Sequence, residues 1–151
     1  MLNKSVPQNQ KGFTLVEVSL ALAILIIITG LSFTVYQSFQ VKHNLDITTD
    51  EYAQSLVQAQ IRSRAVKDDS CWSVHIQPGS ITLFKGNDYG SRDPSFDEIT
   101  NFPSNIIPSG LQTVTFDKFH GTTSNTGTTT LTSSTNEERF VTINEMGSIT
   151  Y

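Results

Sequence analysis

Three histidines, one cysteine and a short run of acids are the side chains with which this chain could do chemistry: His43, His75, His120, Cys71, and Asp88, Asp93, Asp97 and Glu98. A metal shared by His75 and His120 needs two strands to bring them together and a third ligand that neither has nearby, so ordinary hydrogen-bonded histidines are the simpler expectation. The four acids offer the hard oxygen ligands that Ca²⁺ takes, but a solvated acidic loop has the same composition, and calcium is left open. Cys71, beside Trp72 at the start of a strand pattern, reads as a small half-buried hydrophobe, and a lone cysteine allows no internal disulfide. No G-x-S-x-G elbow, phosphate-binding glycine loop or H-E-x-x-H occurs. The expectation is a protein that is not an enzyme and has no cofactor and no catalytic metal.

The chemical anomaly lies elsewhere, in Glu17. Most of the long aliphatic density falls before residue 40, and from Val18 to Tyr36 there are nineteen consecutive residues without a charge. As a helix this run would approach the ~30 Å of a bilayer hydrocarbon core. Lys4 and Lys11 precede it, which predicts an N-terminus in the cytoplasm and everything after Tyr36 outside. Phe33-Thr-Val-Tyr-Gln-Ser-Phe39 offers no small-residue cleavage site after the run. An isolated carboxylate in such a segment costs roughly 2.5–3.5 kcal/mol unless it finds a partner. A new α-amino group at Phe13, four residues away, would be such a partner if the chain were cut after Gly12, where a glycine lets a protease approach the backbone.

Lys11-Gly12-Phe13-Thr14-Leu15-Val16-Glu17 followed by a long aliphatic helix resembles the class III leader of type IV prepilins and type II secretion pseudopilins. The resemblance implies a leader over residues 1–12, cleavage between Gly12 and Phe13 by a prepilin peptidase, and N-methylation of Phe13. It also implies that Glu17 compensates the terminal amine of an adjacent copy and so sets axial register in a helical filament. The implied partners are the peptidase, other pilins or pseudopilins, an assembly platform with its ATPase, and the bilayer before assembly. The implied location is the bacterial inner membrane, single-pass, with the head periplasmic or extracellular, and then the filament.

A helix must position these residues, and no proline interrupts the chain from Phe13 to Gln77. Residues 13–36 are expected to form its transmembrane or filament-core half and residues 37–67 its amphipathic half, together ~80 Å long. Tyr52, Leu56, Ala59, Ser63 and Val66 recur at helical spacing and predict a stripe that docks on a sheet, with Gln54, Gln58, Arg62 and Arg64 elsewhere. Residues 68–151 are expected to form an antiparallel β head, giving an α+β fold. Trp72–Ile76 and Ile81–Phe84 alternate around a Pro78-Gly79 turn and predict a hairpin. Asp88–Pro108 reads as a loop-rich connection, and Leu111–Phe119, Thr126–Ser133, Phe140–Asn144 and Ser148–Tyr151 as further strands, the last two flanking a Glu145-Met146-Gly147 turn. The Thr- and Ser-rich run from Thr122 to Thr135 reads as an exposed hairpin, with sugar attachment an alternative.

The order Gln58-Ala-x-Ile-Arg-Ser-Arg-Ala65, Trp72-x-Val-His-Ile76, Val114-x-Phe-Asp-Lys-Phe-His-Gly-Thr122 and Thr142-Ile-Asn-Glu-Met-Gly-x-Ile149 is similar to the H-type minor pseudopilin domain, also found in FimT-like minor pilins. The chain lacks the paired C-terminal cysteines common in major pilins. An alternative within this resemblance is a competence-type minor pilin whose head binds DNA. Charge opposes it: the chain carries -4 overall, and losing Lys4 and Lys11 leaves 8 basic side chains against 14 acidic ones. Arg62, Arg64 and Lys67 form the one basic cluster in the sequence, and helix packing can occupy it.

Overall fold

A computed structural model describes residues 12–151, except for the side chains of residues 31–35, 37 and 38. The leader residues Lys4 and Lys11 lie outside the described residues. The fold is α+β: helix α1 (Leu15–Arg64) is followed by eight strands, β1 (Trp72–Gln77), β2 (Ser80–Lys85), β3 (Glu98–Asn101), β4 (Ile107–Gly110), β5 (Thr113–Phe116), β6 (Gly127–Thr132), β7 (Glu138–Ile143) and β8 (Ile149–Thr150). The chain divides into two units, one ending at Gln37 and the other running from Ser38 to Tyr151.

In the second unit the strands form two four-stranded sheets rather than one, ordered β3-β2-β1-β5 and β4-β6-β7-β8. Every pairing is antiparallel. The register stacks apolar pairs on one face of the first sheet, Val74 opposite Leu83 and Val114, Ile76 opposite Ile81, and Trp72 opposite Phe116. These join Leu131, Val141 and Ile143 of the second sheet and Leu45, Tyr52, Leu56 and Ala59 of α1 in one buried core. The expected helical stripe is therefore buried from Tyr52 to Ser63, and it begins earlier than expected, at Leu45, Thr48 and Thr49. Two threonines fit there because their hydroxyls donate back to the Asn44 and Leu45 carbonyls at 2.8 Å, which satisfies them inside the helix. Val66 is not on the stripe: it has left the helix, at φ 53°, and is half-buried.

Ser63 joins helix to sheet, its Oγ accepting the Trp72 N–H at 2.8 Å while its carbonyl accepts the Phe119 N–H at 3.2 Å. Three further expectations need correction. The Asp88–Pro108 segment contains β3 and the start of β4, both edge strands; β3 buries no residue and β4 only Pro108, so neither carries an apolar alternation. Pro108 is tolerated because an edge strand needs its N–H on one side at most. The strand from Leu111 stops at Phe116, and Phe119 is exposed in a left-handed turn at φ 72°. The Thr122–Thr135 run is not an exposed hairpin, since Thr123, Thr129, Leu131 and Ser133 are buried. Threonine on an amphipathic strand fits either face, so composition alone hides which side is inside.

Among the described residues no helix is long and apolar enough to cross a membrane. The expected span Val18–Tyr36 includes residues 31–35, whose side chains lie outside the described residues.

Candidate functional site: the start of the helix

Gly12, Phe13 and Thr14 are exposed and non-helical, and α1 begins at the next residue. The boundary is set chemically. Thr14 accepts the Glu17 N–H on its side-chain Oγ1 and the Val18 N–H on its carbonyl, each at 3.2 Å, which makes it the N-cap of the helix with Glu17 at the third helical position. The Thr-x-x-Glu spacing is a local cap signal, and it gives Glu17 a second role beside that of a charge in an apolar segment, at the positive end of the helix dipole. A Cβ placed on Gly12 would meet nothing within 4 Å, so nothing in the described fold demands glycine at this position.

Beyond the cap the helix is apolar on every side as far as Ile28. Val16, Leu20, Ile26 and Ile28 are exposed, and so are Val18, Leu22, Ile24, Leu25 and Ile27. The hydroxyls in this stretch are turned inward to the backbone: Ser19 donates to the Val16 carbonyl at 2.9 Å and Thr29 to the Leu25 carbonyl at 2.8 Å. A helix apolar all round and with its hydroxyls already satisfied is suited to apolar surroundings, lipid or other helices. Phe13, Glu17, Val18, Ala21, Leu22 and Leu25 line an open groove along one side, which places the carboxylate at the edge of an otherwise apolar surface. Among the described residues no hydrogen bond or ion pair engages that carboxylate.

The other candidate residues are dispersed, and the acids and His75 are individually occupied. His43 is exposed on α1; His75 Nδ1 bonds Thr113 Oγ1 at 2.8 Å; His120 is exposed, and its carbonyl accepts from Arg64 Nε at 3.1 Å. Burial lowers the His75 pKa below its ordinary value, with a smaller contribution from Arg92. The four acids do not converge: Asp88 accepts from Ser91, Asp93 from Ser95, Asp97 from Arg92 and Glu98 from Arg62. Hydrogen bonds from these serines hold the exposed Asp88 and Asp93 carboxyls below the usual carboxylate range. Among the described residues no group of three or more His, Cys, Asp or Glu side chains could hold a metal ion. Cys71 is half-buried. In the basic cluster, Arg62 Nη2 donates to both Glu98 carboxylate oxygens at 2.7 and 2.8 Å and the guanidinium lies 4.8 Å over the Trp72 ring, with Lys67 at 5.5 Å from the same ring.

Residues 7–33 match the family model described as the prokaryotic N-terminal methylation motif. No curated protein and no solved structure matches the chain. The motif is a type IV pilin-like prepilin signal, and it points to a structural subunit rather than an enzyme. It implies processing by a prepilin peptidase, assembly with other pilins, and membrane anchoring before that assembly.

Proposed function

We propose that this chain is a minor pseudopilin-like subunit of a type IV pilus or type II secretion pseudopilus, of the H type. In this reading the peptidase cuts between Gly12 and Phe13 on the cytoplasmic side, and the new Phe13 amine is methylated. The residues from Phe13 to Tyr36 hold the subunit in the inner membrane until a platform protein and its ATPase move it into the filament. There Glu17 pairs with the Phe13 ammonium of a neighbouring copy, and the β head presents its surface to sister subunits or cargo.

The observation that carries the reading is the groove of Phe13, Glu17, Val18, Ala21, Leu22 and Leu25, a lone carboxylate on a helical stretch otherwise apolar all round, lying within the matched motif. Inside an apolar bundle that carboxylate needs a cation, and the trimmed terminus of another copy is one. Glycine at position 12 fits the same reading, because a Cβ there would meet nothing within 4 Å and packing does not account for the residue. The competence alternative has less support: Arg62 is engaged by Glu98, and Arg64 by the His120 carbonyl, which leaves few cations for phosphates.

Intact-mass measurement on the membrane fraction tests the processing step. The expected product starts at a methylated Phe13, and a sole species that retains Met1 would overturn the proposal. Replacing Glu17→Ala is expected to leave membrane insertion intact and to reduce incorporation into filaments. A normal filament yield would remove the pairing role.

A further inference from the structure

The outer face of the first sheet, opposite the core, carries Ser73, His75, Thr82, Phe84, Thr113 and Thr115, and the segment between β2 and β3 lies over it. Phe84 is fully buried yet stands outside the main core, because Tyr89 from that segment meets it edge-on at 5.5 Å. Tyr89 also stacks on His75, ring centroids 4.0 Å apart, and Arg92 lies over the other face of Tyr89 at 3.7 Å. Arg92 is held in turn by the Tyr89 carbonyl at 2.7 Å and by Asp97 Oδ2 at 2.8 Å.

We propose that the Arg92–Tyr89–His75 stack is a proton-operated latch, which keeps the 86–97 segment closed over β1 and β2 while the His75 imidazole is neutral and releases it when the imidazole is protonated. The groups that face His75 are Thr113 from β5, Thr82 and Phe84 from β2, and Tyr89 and Arg92 from the segment itself. Of these Arg92 alone carries a charge at neutral pH, and it is positive. The acids that could stabilise an imidazolium are committed elsewhere. Asp97 is bound to Arg92, Asp88 and Asp93 bond the turns of Ser91 and Ser95, and Glu98 holds Arg62. A proton on His75 therefore places a second cation against the Tyr89 ring, opposite Arg92 and with no facing carboxylate, and opening the segment separates the two charges and fully hydrates the imidazolium.

The closed state also carries a cost that opening relieves. The Asp97 side chain is only 5% exposed, and its Oδ1 is buried without a hydrogen-bond partner. The sign follows from the depressed histidine pKa: closure is favoured above the ordinary histidine range near ~6.5 and weakens as pH falls through and below it.

Hydrogen exchange of the full-length chain in detergent micelles, at pH 8 and pH 5 and corrected for the intrinsic rate, tests the latch. Peptides from 86–97 are expected to exchange several-fold faster at pH 5, while those from β6 and β7 keep their protection. His75→Phe keeps a ring for Tyr89 to stack on and cannot take the proton, so its 86–97 segment should be equally protected at both pH values. Equal protection of the native segment at pH 8 and pH 5, acid loosening that persists in His75→Phe, or loosening shared with β6 and β7 would each overturn the proposal. Should His75→Phe fail to fold, an NMR titration of the His75 ring in Arg92→Gln serves instead. Its midpoint should rise relative to the native chain, and an unchanged midpoint would also overturn the latch.

Discussion

The stretch from Leu15 to Ile28 and the stretch from Leu45 to Ser63 are parts of one helical element, yet they present their apolar residues in opposite ways. In the first, leucines, isoleucines and valines are exposed on all sides; in the second, Leu45, Tyr52, Leu56 and Ala59 are buried in a single stripe. The difference teaches that the same helical backbone serves two kinds of partner. The second stretch has its partner in the chain itself, two antiparallel sheets. The first is exposed, and that surface is what a membrane or a neighbouring subunit would cover.

The largest expected break in that comparison comes from paired leucines. Leu56→Ala removes a fully buried side chain and should destabilise the head by about 2–5 kcal/mol. Leu22→Ala, exposed in the first stretch, should leave the unfolding transition of the head unchanged. Denaturant titration in micelles, followed by Trp72 fluorescence, reads both. A comparable loss from Leu22→Ala would mean that the apolar stretch contributes to the folded head.

A pair of glycines sharpens the contrast at smaller cost. Gly147 sits at φ 74°, and a Cβ there would run into Gln60 Nε2 and the Gly121 carbonyl, so Gly147→Ala should destabilise by about 1–3 kcal/mol. Gln60 is the residue that ties those turns to α1, donating to the Gly121 and Gly147 carbonyls at 2.9 Å each. Gly12→Ala should leave thermal stability alone and slow removal of the leader, read by intact mass. Efficient processing of Gly12→Ala would show that no partner needs the space.

The smallest effect separates two threonines. Thr129 Oγ1 meets the buried Tyr52 hydroxyl at 3.1 Å, and Thr129→Val would orphan it for about 1–2 kcal/mol. Burial pushes the Tyr52 pKa up to about 12, so the hydroxyl stays protonated and keeps its need for a partner. Thr29→Val, whose hydroxyl bonds only its own helix among the described residues, should be silent in the same assay.

Much of this arrangement was legible in the sequence, for reasons that differ by segment. The β1–β2 hairpin could be read because Trp72, Val74 and Ile76 alternate with polar residues and Pro78-Gly79 marks the turn, so local pattern and tertiary burial agree. The acids Asp88, Asp93, Asp97 and Glu98 invited a shared ligand by proximity in sequence. Each instead found a different partner, two of them arginines placed by the fold, and spacing along a loop cannot foresee that. The Arg92–Tyr89–His75 stack was hidden for the same reason, since it joins a loop to a strand that begins many residues earlier.

What the chain's order of residues determined by itself is the motif around Gly12, Phe13 and Glu17 and the helical and strand periods that follow. These are local properties, fixed by neighbours within a few positions. Only the tertiary structure decided that the strands split into two sheets, that Thr129 and Ser133 face inward, and that Arg62 and Arg92 are consumed by Glu98 and Asp97. Those outcomes depend on which surfaces meet across long stretches of chain, where burial and charge pairing outweigh anything a short window of sequence prefers.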